Sequence, residues 1–283
     1  MRKAELAKVR RWFAEDMRVR APVQRSARVV DAFAAVPREA FVGPGPWRIM
    51  PGHRPDLATL TDDDDPRWLY HDVLVAIDAA RGLNNGQPSL WAYVFDRLDL
   101  MPGERVLQIG AGTGYYSAVL AEIIGARGRV IAVEHDAALA ERARQSAAPW
   151  PQLTIVAGDG RAHDPGEIDV VIAFAGSTHP APLWLERLSD GGRLLMPLTA
   201  EHRGGTMLRA IRRGDAFEAG SIGPIGIFPC VGGRDPAAAT RLEAALKTAY
   251  PPPIKALHRG DPPADAGDRV WYFGPGFWLE RSI

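Results

Sequence analysis

One stretch constrains this chain more than any other: residues 105–116, RVLQIGAGTGYY. The apolar run at 106–109 is too short and too closely bounded by glycine to be a helix, and it reads as a buried β-strand. Gly110-Ala111-Gly112-Thr113-Gly114 follows, and then a helix-compatible run over residues 115–124. Strand, glycine turn and helix open a βαβ unit, whose turn aims backbone N–H groups and the positive helix end at a ligand. Glycine suits that turn because side chains would keep the backbone from closing on the ligand.

The spacing separates two ligand classes. A dinucleotide fingerprint requires G-x-G-x-x-G, and the third glycine would have to stand where the chain has Tyr115. The observed form is G-x-G-x-G, followed by a second strand at 129–133 that ends in Glu134 and His135. Glu134 lies twenty residues beyond Gly114, the reach at which an acid on the second strand tip meets ribose hydroxyls. The pattern predicts a nucleoside-type ligand.

The string VLQIGAGTGYYSAVLAEI resembles the first motif of S-adenosylmethionine-dependent methyltransferases, in the form used by protein-L-isoaspartate O-methyltransferases. That family usually has an acid where Gln108 stands. A second likeness lies in the helix ending PREAFVGP at 37–44, and a third in Gly158-Asp159-Gly160, which resembles the family's adenine-site tripeptide. The resemblance covers roughly residues 5–232. It implies an α/β fold with a doubly wound, mostly parallel seven-stranded sheet (Rossmann-like methyltransferase), an N-terminal helical segment and a C-terminal extension. The division it suggests is N-terminal helices and substrate loop in 1–98, S-adenosylmethionine-binding core in 99–232 and the extension in 233–283. It also implies that Gly110, Ala111, Gly112, Gly114, Tyr115, Glu134, His135, Gly158, Asp159 and Gly160 bind S-adenosylmethionine.

The main departure falls in the segment YHDVLVAIDAARGLNNGQP at 70–88, where the family has a substrate loop of the form Thr-Ile-Ser-x-Pro. Matched on Pro88, the family's serine falls on Gly86. The expected substrate-loop residues are Gly86, Gln87 and Ser89, with Asn85, Gln87 or Ser89 as alternative sources of the missing hydrogen bond.

Composition narrows the class. Lys+Arg and Asp+Glu are both 34, so the formal net charge is zero and the usual footprint of a nucleic-acid binder is missing. The single cysteine, Cys230, excludes an internal disulfide and a cysteine metal cluster. The first seventeen residues are charged throughout, and no apolar run approaches the roughly 20 residues of a membrane span. The expectation is a cytoplasmic protein with a peptide or protein substrate, no nucleic acid, no membrane and no metal. The acidic run at 62–65 reads as a solvated loop capping a turn, since four adjacent carboxylates cannot converge on one ion.

Elsewhere the pattern predicts helices at 3–17, with Leu6, Val9, Phe13 and Met17 on one stripe, and at 26–36, opened by a Ser26 cap and stopped by Pro37. Residues 45–69 read as irregular. Further strands fit 153–156, 169–174 and 193–197, an antiparallel pair fits 206–213 and 217–228, and a helix fits 236–249. The terminus holds five aromatics between Trp271 and Trp278, and Gly274-Pro275-Gly276 offers the turn that folds them back.

A carboxylate is ionised at pH 7 and can attack a methyl sulfonium without a general base. A loop histidine, His179, is the one candidate base. The absence of an Asp-His or Cys-His constellation therefore fits a carboxyl O-methyltransferase acting on an aspartyl or isoaspartyl carboxylate. Two sub-readings stay open, a divergent repair enzyme and an enzyme for a dedicated peptide. A cofactor-binding pseudoenzyme or adaptor is the alternative from another class. An NAD-dependent oxidoreductase is a third, disfavoured by Tyr115 and the antiparallel tail.

Overall fold

A computed structural model describes residues 3–52, 54, 56–200 and 204–282. The chain divides into two compact units. The first comprises residues 1–104, 111–130 and 136–155, and the second comprises 105–110, 131–135 and 156–283.

The first unit begins with helix α1 (Lys3–Arg20) and helix α2 (Ala27–Ala35), followed by a 3₁₀ turn, Arg38–Phe41. The α2 start departs from expectation. Ser26 stands at the N-cap without a side-chain capping bond, and its hydroxyl is buried without a partner among the described residues. Asp96 does the anchoring instead, accepting from the backbone N–H groups of Gln24 (3.3 Å), Arg25 (2.8 Å) and Ser26 (2.9 Å).

Residues 45–69 are less irregular than the sequence suggests. They form β1 (Arg48–Pro51) and β2 (Thr59–Leu60), which join β3 (Val73–Asp78) and β4 (Leu83–Asn84) in a four-stranded sheet of order β2-β1-β3-β4. Strands this short carry too few alternations to register as a period. Val42, Trp47, Leu69 and Val75 make the small core of this region. The acidic run caps a turn as expected, with Asp65 accepting from the Arg67 N–H at 3.0 Å. Among the described residues no cluster of three or more acids, histidines or cysteines could hold a metal ion.

Helix α3 (Pro88–Leu98) buries Trp91, Val94, Phe95 and Leu98. Helices α4 (Tyr115–Ile124) and α5 (Ala137–Ala147) complete the unit. Asp136 caps α5, accepting from the N–H groups of Ala138 and Leu139.

The second unit is built on a ten-stranded sheet. Its strands are β5 (Arg105–Ile109), β6 (Arg129–Glu134), β7 (Leu153–Ala157), β8 (Ile168–Ala173), β9 (Leu188–Thr199), β10 (Gly204–Arg213), β11 (Ala216–Gly226), β12 (Ile254–Arg259), β13 (Val270–Gly274) and β14 (Phe277–Arg281). The order is β13-β14-β12-β11-β10-β9-β8-β5-β6-β7. The seven strands β5–β11 are those of the expected α/β methyltransferase sheet, and the extension adds three more.

β8 pairs in parallel with both β5 and β9. β6 runs the same way as its neighbours: Arg129 donates to Glu104 at the start of β5, and Gly110 past its end donates to Val133. Antiparallel pairing begins at β9–β10 and continues through β14. Uninterrupted apolar runs such as VVIA in β8 fit strands covered on both faces. At the opposite end from Gly110, Arg105 grips Asp169 through its backbone N–H (2.9 Å) and its guanidinium (2.9 Å). That pair holds the Asp169 carboxyl down at about 2.

The sheet's core joins Leu107, Val133, Val171, Trp184, Leu194 and Leu257 to the aromatics of the extension. Trp271, Tyr272, Phe277 and Trp278 are buried, while Phe273 is 39% exposed beneath the Arg241 guanidinium. Gly274-Pro275-Gly276 makes the hairpin turn, as its composition predicts. Among the described residues no helix is long and apolar enough to cross a membrane.

Candidate active site

The expected nucleoside-binding positions of the second unit gather at one edge of its sheet, past the C-terminal ends of β5, β6 and β7. Gly110 donates to the Val133 carbonyl at 2.8 Å, and Gly158 donates to the Glu134 carbonyl at 2.9 Å. The backbone thus ties the glycine turn, the acidic strand tip and the Gly-Asp-Gly segment side by side. The open end of parallel strands is where α/β folds bind ligands. Glu134 is only 9% exposed, so its carboxylate meets little bulk water. His135 and Asp159 are exposed, and Asp159 uses one oxygen to accept from the Arg161 N–H at 2.8 Å. Gly160 is packed closely: a Cβ there would lie 2.8 Å from Ile109, and its carbonyl accepts from the Trp184 indole.

Beyond Gly110 the chain enters the first unit through Ala111, Gly112 and Gly114. Gly112 has φ +58°, and a Cβ added at Gly112 or Gly158 would meet nothing within 4 Å. Open space of this kind beside a glycine lets another group approach the backbone. On β5, Gln108 is fully buried, and neither its amide nitrogen nor its oxygen has a partner among the described residues. A buried amide left without a partner costs free energy. The room at the motif glycine fits the nucleoside-type cofactor expected from the sequence.

Tyr115 sits differently from its neighbours in the motif. Its ring is buried between Phe33 and Phe41 at centroid distances of 6.3 and 5.7 Å, and burial drives its phenol pKa up. Its side chain is taken up in that packing.

The loop at 84–89 is held by residues that the sequence alone did not single out. Arg38, fully buried, donates to the carbonyls of Leu69 (2.7 Å), His71 (3.2 Å) and Val73 (2.6 Å) and to Asn85 Oδ1 (3.1 Å). Val75 N–H donates to the same Asn85 oxygen at 3.1 Å. Asp72 accepts from Ser89 Oγ (2.6 Å), Ser89 N–H (2.8 Å) and Gln87 Nε2 (2.9 Å), and Gln87 Nε2 also donates to Ser89 Oγ (3.1 Å). The hydroxyl of Ser89 and the amide N–H groups of Gln87 are therefore committed to Asp72 and to each other. Their work is to shape the loop, which weakens the expectation that either replaces the family's serine. A signal was present in the sequence: Asp72 lies in the quoted Tyr-His-Asp string.

Gly86 has φ +80°, and its carbonyl accepts from the Tyr116 hydroxyl at 3.0 Å. A Cβ at 86 would stand 2.8 Å from Trp91 Nε1 and 3.1 Å from Tyr116 Cε2. The glycine is thus required by backbone conformation and by space.

In the second unit, His179 follows β8. Its Nδ1 lies 2.9 Å from Thr178 Oγ1, and burial together with the Arg161 guanidinium lowers its pKa to about 4. Burial pushes the Cys230 thiol up, the opposite of what an activated nucleophile needs.

Comparison with known proteins adds the family. A profile described as Protein-L-isoaspartate(D-aspartate) O-methyltransferase (PCMT) matches residues 63–224. A protein-L-isoaspartate O-methyltransferase of Methylorubrum extorquens is 38% identical over 215 residues, covering 74% of this chain and 82% of that one. One from Pyrobaculum neutrophilum is 32% identical over 211 residues, covering 72% and 90%. Among solved structures, a protein-L-isoaspartate O-methyltransferase aligns with TM-score 0.64 at 19% identity over 95% of this chain and 88% of its own. A Plasmodium falciparum protein described as a β-aspartate methyltransferase, in complex with S-adenosyl-L-homocysteine, aligns with TM-score 0.62 at 15% identity over 78% and 97%. The motif order, the sheet and these likenesses agree, and the chain belongs to the protein-L-isoaspartate (D-aspartate) O-methyltransferase family.

Proposed function

We propose that this protein is an S-adenosylmethionine-dependent carboxyl O-methyltransferase that acts on an aspartyl or isoaspartyl carboxylate of a peptide or protein. The observation that carries the reading is the alignment of Gly110, Glu134 and Gly158-Asp159 at the ends of three adjacent parallel strands. In this reading Glu134 accepts from the ribose hydroxyls and Asp159 from the adenine amino group. The backbone at Gly110 approaches the remainder of the cofactor, with His135 and Gly160 at its borders.

Bound S-adenosylmethionine supplies a methyl group on a sulfonium; the carboxylate oxygen forms the new O–C bond, and the electrons of the breaking C–S bond go to sulfur. No proton moves, so the chain's own residues have to hold, orient and exclude water rather than act as bases. Two features support this. His179 is depressed to about 4, and in the reading is a neutral neighbour rather than the acid or base of the step. The substrate loop is prearranged by Arg38 and Asp72, whose hydrogen bonds are already made.

The reading further puts the enzyme in the cytoplasm, with no nucleic-acid partner, on the strength of its single cysteine and its balanced charge. The test is incubation with methyl-labelled S-adenosylmethionine and an isoaspartyl peptide beside its aspartyl twin. Base-labile label in one peptide, with matching release of S-adenosylhomocysteine, is the expected result. Binding of the cofactor with no transfer to either peptide would leave an adaptor and overturn the assignment.

A further inference from the structure

Gly86 is the position where this chain departs most from its family's loop, and the structure gives a cause for the departure. The space beside Gly86 is filled. The Trp91 indole would crowd a Cβ there at Nε1 (2.8 Å) and Cδ1 (3.2 Å), and Tyr116 would do so at 3.1 Å. Neither ring can swing aside at low cost. Trp91 is 2% exposed and packs on Phe95 and Tyr116 at centroid distances of 6.2 and 5.8 Å. Tyr116 is 4% exposed, and its hydroxyl is fixed on the Gly86 carbonyl. The backbone at φ +80° also disfavours any residue with a Cβ.

We propose that Trp91 is a specificity-determining residue of this enzyme, acting as a positioning residue through the loop at Gly86. Its indole takes the volume that a side chain at 86 would occupy and, with Tyr116, fixes the path of the loop backbone. The inference rests on the carboxyl-methylation reading above. It adds that the preference between isoaspartyl and aspartyl carboxylates is set by the pair 86/91 and not by position 86 alone. The two acceptors differ by the placement of a single methylene between the carboxylate and the main chain. Differences of that size are resolved by pocket shape, with about 10- to 200-fold discrimination.

The test measures kcat/KM for an isoaspartyl peptide and its aspartyl twin with the wild type, Gly86→Ser, Trp91→Leu and Trp91→Leu/Gly86→Ser. Melting temperature and cofactor affinity are measured alongside. Gly86→Ser alone should melt lower and lose activity on both peptides. Adding Trp91→Leu to Gly86→Ser should recover part of the melting temperature and move the isoaspartyl-to-aspartyl ratio by about tenfold or more from wild type. Trp91→Leu keeps the permitted glycine and should move the same ratio, with cofactor affinity unchanged. A ratio that stays at the wild-type value in both Trp91 variants overturns the inference. So does strict additivity of the 86 and 91 effects on melting temperature, which can be read even without turnover. A wild type that methylates neither peptide would instead sink the carboxyl-methylation reading, so the two failures are distinguishable.

Discussion

The Tyr116 hydroxyl donates a 3.0 Å hydrogen bond to the carbonyl of Gly86, joining the first turn of α4 to the loop at 84–89, thirty residues earlier. One end of α4 carries the glycine turn of the motif, so within the first unit a single short helix bears on both proposed functional segments. Replacing Tyr116 by Phe removes that bond and leaves the ring packing in place. The expected stability loss is about 0.5–1.5 kcal/mol, read from urea midpoints. In the proposed function KM for the peptide should rise while cofactor affinity holds; an unchanged peptide KM would place the bond outside substrate positioning.

Glu134→Ala tests the cofactor edge. Loss of a charge-assisted pair to the ribose should cost roughly 1.5–3 kcal/mol of S-adenosylmethionine affinity. Isothermal titration of Glu134→Ala and Asp159→Ala decides the matter, because undiminished affinity in both would refute the placement.

Arg38 is a buried cation whose charge is met by four acceptors in the segment 69–85. Arg38→Met strands those acceptors, and the fold should weaken by at least about 3 kcal/mol. Arg38→Lys should recover only part of this, since an ammonium cannot span the same fork of carbonyls. Denaturant unfolding with hydrogen exchange over 69–89 gives the comparison, and full rescue by lysine would show that charge, not geometry, is what matters.

His179 predicts a pH dependence whose sign follows from its lowered pKa of about 4 against an ordinary 6.5. Below 6.5 the unfolded chain takes up a proton that the folded chain refuses, so stability falls as the pH drops from 6.5 toward 4. His179→Gln should flatten the slope in that window. Identical urea-unfolding profiles for the two proteins between pH 7 and 4.5 would show that the ring is not held neutral.

The C-terminal hairpin should matter chiefly to stability. Tyr272 donates to the Thr178 carbonyl at 2.7 Å, and Phe277 and Leu279 are fully buried in the sheet's core. Truncation after Asp268 removes β13 and β14 and should lower the melting temperature sharply, since each large apolar side chain exposed costs roughly 1.5–3 kcal/mol. A truncated protein with the parent melting temperature would contradict the packing.

The sequence by itself determined the βαβ opening, the cofactor class and the α/β sheet. Each rests on local chemistry: an apolar run bounded by glycines, a missing third glycine at Tyr115 and an acid twenty residues on at Glu134. The hairpin turn at 274–276 was legible for the same reason, because Gly-Pro-Gly limits its own backbone. Only the tertiary structure decided what surrounds Gly86. Trp91 is five residues away along the chain and Tyr116 thirty, and no period or spacing says that both rings close on one glycine. It also decided that Gln87 and Ser89 spend their donors on Asp72, that Asp96 rather than Ser26 secures the entry to α2, and that the extension lengthens the sheet from seven strands to ten. Local patterns record what a segment can become. Which distant groups fill a given space is fixed by long-range packing, which leaves no periodic mark on the chain.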